Sequence, residues 1–313
     1  MPDKPDASIT DKMNAESTSS EAPPCMICES PASLFCRKEA HNQSWTICKC
    51  TQCGHGFVSN RPTLEILNRI YASEESHHTM PVGEDLDADA ADARSLAKSI
   101  NGVYLKNRSG KVANAPRSLD VGAGSGRFSR QLAKFGFKPT LIDLDPRAER
   151  SANLIADVKF YRTSFEELPD RGPYDAIIMS QVLEHSLDPM DWLRRAASIL
   201  TPGGVLAVAV PNFGGIYRML GERDPFLIPP VHLNFFTARS LRMAMEKVGL
   251  VPAYLDSRNE ISLGSGSGKR RLIALIWNAG SWVLNPTRSG IILRGFATRP
   301  REKTPSISQI ISS

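Results

Sequence analysis

The sequence predicts a doubly wound α/β domain preceded by a small cysteine-rich segment, and three observations carry that reading. Residues 118–135 run from a short apolar stretch through Gly122, Gly124 and Gly126 into an amphipathic stretch, the order strand, tight turn, helix. From there to about residue 250, short apolar runs alternate with helical patterns, as in a largely parallel sheet. All six cysteines lie between Cys25 and Cys53, ahead of that region.

With 313 residues the chain has room for one large α/β domain and an appendage. Its 41% hydrophobic and 23% charged residues are ordinary for a globular protein. The net charge of +5 is spread without a dense Lys/Arg block, so no nucleic-acid partner is expected. No apolar run reaches the roughly 18 residues of a membrane span. The polar N-terminus lacks an apolar signal core, and a cytoplasmic location is expected. Cysteines confined in this way, in a reducing compartment, point to a metal before disulfides.

Residues 1–24 are rich in Ser, Asp, Ala, Glu and Pro and are expected to be disordered. In 25–60, Cys25-x-x-Cys28 and Cys50-x-x-Cys53 form two knuckles at the spacing of a structural zinc ribbon. Four thiolates would close the coordination sphere and staple a segment too small for its own core. Cys48 in place of Cys50, or His41 or His55 as a substitute ligand, are the alternatives, and Cys36 is unassigned. In the linker 61–117, Leu64, Leu67, Ile70 and Tyr71 follow helical spacing. A loop and then a helix over 90–104 follow, the helix serving either as a cover for a ligand or as an ordinary connection.

The domain proper is expected over 118–300. Its glycine turn lacks the third glycine of a dinucleotide fingerprint, because Arg127 stands there, and it lacks the Gly-Lys-Ser/Thr of a P-loop. The first helix, with Phe128, Leu132 and Phe135, ends at Gly136. A second strand, 139–143, closes on Asp143 and Asp145; an acid there can accept both hydroxyls of a ribose, while an acid before Pro146 can also cap a helix. Further strands are expected at 158–161, 174–180 and 205–212, with a helix over 193–200 and a turn at 201–204. A helix over 240–248 stops at Gly249, and strands follow at 251–255 and 291–297. Residues 264–269 read as a flexible linker, and 270–284 as a helix that packs on the domain or, alternatively, makes peripheral membrane contact. The tail, 301–313, is expected to be disordered.

Asp120-x-Gly122-x-Gly124-x-Gly126 resembles motif I of class I S-adenosylmethionine (SAM)-dependent methyltransferases. The acid after the second strand, Gln181-Val182-Leu183-Glu184-His185 after the fourth, and Leu200-x-Pro202-Gly203-Gly204 before the fifth follow in the family's order, so the resemblance spans about 118–250. It implies a Rossmann-like sheet of seven strands, mostly parallel, with the last strand antiparallel at the sheet edge. It also implies SAM held by Asp120, Gly122, Ala123, Gly124, Gly126, Asp143, Leu144, Phe165 and Ser180, with Asp143 on the ribose and Asp145 as helix cap. Ser164 departs from the acid common in the family, which leaves the Phe165 backbone to meet the adenine. The knuckles, Pro62 and the helix that follows resemble the zinc-binding segment ahead of some bacterial methyltransferases, whose acceptors are often sugars or cell-envelope precursors.

Methyl transfer to a hydroxyl needs alignment and a base. His185, after the fourth strand, and His232, in an insert after the fifth, are the two candidates, with Phe213 and Tyr217 as possible walls of an acceptor pocket. The expected function is therefore methyl transfer to a small molecule or a glycan, with oligomeric state undetermined. Two rivals stand beside it: a catalytically silent binding protein, and an NAD(P)-dependent oxidoreductase disfavoured by Arg127.

Overall fold

The apolar runs of the C-terminal half become strands buried on both faces, and their side chains divide between two layers with period two. In the computed structural model, which describes residues 22–72, 90–108, 114–258 and 289–301, these are β4 (Arg117–Val121), β5 (Lys138–Asp143), β6 (Lys159–Arg162), β7 (Tyr174–Ser180), β8 (Leu200–Pro211), β10 (Val251–Arg258) and β11 (Ile292–Thr298). Ile177, Met179, Leu206, Val208 and Val210 face one core, and Ala176, Ile178, Val205 and Ala207 face the other. Expectations for 1–21, for the loop at 73–89, for 264–269 and 270–284, and for 302–313 lie outside the described residues.

The seven strands pair in the order β10-β11-β8-β7-β4-β5-β6. β4, β5 and β6 are parallel, as are β4, β7 and β8, whereas β11 runs antiparallel to both β8 and β10. The last strand is antiparallel as expected but lies one position in from the edge, which β10 occupies. Since β5 and β7 flank β4 on opposite sides, the strand order reverses at β4, and the crevice at its carboxyl end is where such sheets take ligands.

Helix α5 (Pro189–Ile199) buries Met190, Leu193, Ala196 and Ile199 at helical spacing on the first core, joined by α6 (Ala238–Lys247) through Leu241, Ala244 and Met245. On the opposite face α2 (Ala90–Asn107) packs Leu96, Ile100 and Val103 against Phe128 and Leu132 of α3 (Arg127–Ala133). The expected turn at 201–204 is an extrusion inside β8: Tyr174 pairs with Leu200 and Ala176 with Val205. Gly203, at φ 80°, is needed there because a Cβ would stand 2.4 Å from the Asn107 carbonyl at the end of α2. No helix among the described residues is long and apolar enough to cross a membrane.

The cysteine-rich segment is a hairpin of β1 (Ala32–Ala40) and β2 (Gln43–Cys50), followed by β3 (Gly56–Val58) and α1 (Leu64–Ala72). His41 and Asn42, both at positive φ, make its two-residue turn, at the opposite end of the hairpin from the knuckles. A small hairpin cannot bury a face alone. Here β9 (Asn234–Phe235), from the insert after β8, completes a four-stranded sheet β1-β2-β3-β9. Phe213, Leu227, Leu233 and Phe235 of that insert share a core with Cys36, Trp45, Ile47 and Val58.

Candidate functional site

At the carboxyl end of β4 the chain turns through Gly122, Gly124 and Gly126 at φ 62°, 54° and 67°, a left-handed path that side chains disfavour. A Cβ on Gly122 would meet Val182 Cγ1 at 2.3 Å, so the turn abuts the loop after β7. Beneath it Asp120 is buried and accepts from Ser129 Oγ at 2.8 Å, and burial pushes its carboxyl up to about 7. Ala123 N–H is held by the Ile142 carbonyl at 3.1 Å.

Asp143 ends β5 beside this turn. Its two oxygens accept from Gly124 N–H and Asp145 N–H, each at 2.8 Å, and burial raises its pKa. Asp145 instead caps α4 (Pro146–Ala152) by accepting from Arg147 N–H at 2.8 Å. Leu144 between them is 63% exposed, an apolar side chain open at the crevice. The Phe165 ring points into the core against Trp192, with Arg195 over its face. Ser180 is half-buried at the end of β7, paired with Ala209.

After β7, Glu184 and His185 lie in a short 3-10 turn and meet His232 from the insert; ligand-type atoms of the three lie within 4.8 Å of one another. His185 Nδ1 bonds the Val231 carbonyl at 2.8 Å and His232 Nδ1 the Phe226 carbonyl at 2.9 Å, with the rings 5.0 Å apart and edge to face. A carbonyl only accepts, so each Nδ1 carries the hydrogen; the Gln181 backbone also engages the His185 ring, while a neutral His232 keeps its lone pair on Nε2. Burial lowers the pKa of both, that of His232 to about 3 with help from His185. Glu184 is buried, and neither carboxyl oxygen has a hydrogen-bond partner. Its Oε1 lies 4.0 Å from His185 Nε2, and burial raises its pKa to about 8.

Phe213 does not wall this group: it is buried on the ribbon side against Phe35 and Phe235. Tyr217 packs on Phe226, which in turn stacks on His232. The sequence reading gave no role to Glu184, although it adjoins His185, nor to Arg61, whose half-buried guanidinium reaches the same loop. An acid next to a histidine at a strand's carboxyl end was a usable signal for Glu184. Nothing local marked Arg61, whose partners are remote in sequence.

The sulfurs of Cys25, Cys28, Cys50 and Cys53 lie within 4.8 Å of one another, with Cys25–Cys53 at 3.6 Å and Cys28–Cys50 at 3.3 Å. A tetrahedral zinc–tetrathiolate centre needs sulfurs about 3.8 Å apart, from a bond of about 2.3 Å. The four cysteines fit that arrangement, and N–H groups of Gln52 and Cys53 already point at Cys50 Sγ at 3.4 Å. The hydrogen bond between Cys25 and Cys53 pulls the Cys25 thiol down and pushes that of Cys53 up, so without a metal the pair holds one proton between its sulfurs. Cys50, not Cys48, joins the group, Cys36 lies in the ribbon core, and His55 is buried between Phe57 and Phe236.

A family model for a methyltransferase domain matches residues 89–254. A ubiquinone biosynthesis O-methyltransferase of Caulobacter vibrioides is 35% identical over 101 residues, 30% of this chain and 40% of that protein. One from Xanthomonas campestris pv. campestris is 34% identical over 132 residues, 40% of this chain and 55% of that protein. The chain thus spans about half the length of the curated relatives it matches. Among solved structures, the 1,6-didemethyltoxoflavin-N1-methyltransferase of Burkholderia thailandensis superposes with a TM-score of 0.51 at 17% identity, over 84% of this chain and 99% of that one, which establishes likeness of fold.

Proposed function

The chain belongs to the methyltransferase-domain family, and from that premise we propose that it transfers the methyl group of SAM to a hydroxyl of a small molecule or glycan. The observation that carries the hydroxyl reading is the grouping of Glu184, His185 and His232 next to the glycine turn, joined to it through Val182. The matched relatives are named as O-methyltransferases, which supports the same acceptor atom.

In this reading SAM supplies an electrophilic methyl on a sulfonium. Asp143 takes the ribose hydroxyls, since each of its oxygens spends only one lone pair on backbone N–H. Gly122, Ala123, Gly124 and Gly126, above the Asp120 carboxyl, leave room for the methionine end, and Leu144, the Phe165 backbone and Ser180 border the adenine and the sulfonium. With SAM bound and supplying the methyl, the His232 Nε2 lone pair would take the proton that the acceptor hydroxyl gives up. The bond from His232 Nδ1 to the Phe226 carbonyl leaves Nε2 as the basic nitrogen of that ring. Zinc, held by the four cysteines, would be structural, because four thiolates leave no open position.

The bare carboxyl of Glu184 favours one further reading. A carboxylate beside two imidazole rings is also a donor set for a divalent cation, which would acidify the acceptor hydroxyl in place of a free base. Titration of the chain and of Glu184→Gln with manganese separates the two, since only the cation reading expects binding that the substitution abolishes.

Calorimetric titration with S-adenosylhomocysteine, with Asp143→Ala alongside, tests the main proposal. Binding that the substitution removes supports it. Binding of NAD(P) with none of S-adenosylhomocysteine would replace it with an oxidoreductase. Cofactor binding without transfer to any hydroxyl among phenols, catechols and sugars would favour a silent binding protein.

A further inference from the structure

Arg61 follows the second knuckle, and its half-buried guanidinium has no carboxylate within hydrogen-bonding distance among the described residues, Asp188 acting on it only through a longer-range Coulombic attraction. Burial lowers its pKa to about 10, so it stays charged at neutral pH. Its partners are neutral. Nη1 donates to the carbonyls of Ser186 at 3.3 Å and Leu187 at 2.5 Å, while Nη2 donates to Asn234 Oδ1 at 2.9 Å and touches Met26 Sδ at 3.3 Å. A partly desolvated cation that hydrogen-bonds carbonyls and an amide gains less Coulomb energy than a contact ion pair, but its rigid fork fixes the geometry of several segments at once.

The segments it fixes are those that carry the candidate base. Asn234 Nδ2 donates back to the Ser186 carbonyl at 2.7 Å, closing a ring of Arg61, Ser186 and Asn234. Leu233 N–H then holds the Glu184 carbonyl at 2.8 Å, and the Leu233 carbonyl accepts from Val58 N–H of β3 at 3.0 Å. Asn234 itself pairs with Phe57. Met26 lies inside the first knuckle, and the carbonyl of Cys53 in the second accepts from Thr237 Oγ1 at 3.0 Å, just past β9. Both knuckles thus touch the frame around His185 and His232. The glycine turn is held differently, by Ser129, Ile142 and Asp143, none of them in the ribbon.

We propose that Arg61 is a positioning residue for methyl transfer: it ties the cysteine-stapled ribbon to the 183–187 loop and to Asn234, and thereby sets the orientation of His185 and His232, independently of the cofactor turn. Its importance for catalysis rests on the reading of those histidines as the acceptor side; the positioning itself does not.

The test uses the full zinc-loaded chain with ring-15N-labelled histidine, of which there are six, assigned with His185→Gln and His232→Gln. In the wild type both rings give the Nδ1–H signature that their carbonyl partners demand, a tautomer disfavoured in water. Arg61→Ala is expected to abolish that signature at both while S-adenosylhomocysteine affinity stays within about threefold. Retention of the signature with retained affinity overturns the proposal. If Arg61→Ala loses the cofactor analogue as well, Arg61→Lys decides, because it keeps the charge but not the fork. Loss of the signature with affinity retained in that variant upholds the proposal, and any other outcome overturns it. Loss of the signature in Arg61→Ala, together with undiminished methyl transfer by His185→Gln and His232→Gln, would keep the positioning and reject the histidines as catalytic groups.

Discussion

The carboxylate of Asp143 accepts the backbone N–H of Gly124 at 2.8 Å, latching the end of the second parallel strand to the turn that follows the first. Its other oxygen takes the N–H of Asp145, so this one side chain organises both loops at the crevice where the strand order reverses.

Two substitutions at Asp143 should therefore separate structure from binding. Asp143→Asn keeps one acceptor oxygen and should weaken S-adenosylhomocysteine by about tenfold, and Asp143→Ala by about a hundredfold or more. Calorimetry reads both, and equal affinity in the alanine variant would remove Asp143 from the cofactor site.

Gly122→Ala should be costly for two independent reasons. The left-handed backbone alone costs about 1–2 kcal/mol, and the methyl would overlap Val182 Cγ1. Denaturant unfolding of Gly122→Ala, Val182→Ala and the double variant should show partial recovery in the double variant, because the clash is removed and the strain is not. Simple additivity would mean the loop moves away at no cost.

Asp120 makes stability depend on pH. Its carboxyl lies at about 7 in the folded chain against an ordinary 3.8, so between those values the native state holds a proton that the unfolded state has lost. Stability from this residue is full below about pH 4, falls as pH rises, and levels off above 7, a difference on the order of 4 kcal/mol. Unfolding of wild type and Asp120→Asn across pH 4 to 8 checks this, since the difference between them should fall over that window. A constant difference would contradict it.

The metal prediction turns on a pair of neighbouring cysteines. Cys50→Ser should lose zinc, measured by elemental analysis, while Cys48→Ser should retain it, because only Cys50 belongs to the four-sulfur group. Stripping the wild type with a chelator should raise hydrogen exchange in β1–β3 and β9 and spare β4–β8, since β9 is paired to the ribbon through β3.

Much of the fold was legible because its signals are local. The run 174–180 coincides with β7 since a strand buried on both faces is apolar throughout, and Thr237 caps α6 with Ser240 as a local hydrogen-bond pattern. The position of β11 inside the edge strand was not legible, because a strand's own residues do not state which neighbour it pairs with. Phe213 read as a pocket wall for a similar reason: an aromatic after a strand fits a pocket or a core equally, and only the ribbon packed on it decides.

By itself the sequence determined the glycine turn, the acid at the end of the next strand, the cysteine spacing and the order of the elements, all of them fixed by backbone conformation or by contacts within a short span of chain. Only the tertiary structure decided that Cys50 and not Cys48 completes the thiol group, and that Glu184 stands bare beside two histidines. It alone also brought Arg61 to a loop 125 positions further along the chain. Those outcomes depend on which distant segments share a desolvated interior, where a charge or a polar atom must take whatever partner the packing brings within reach.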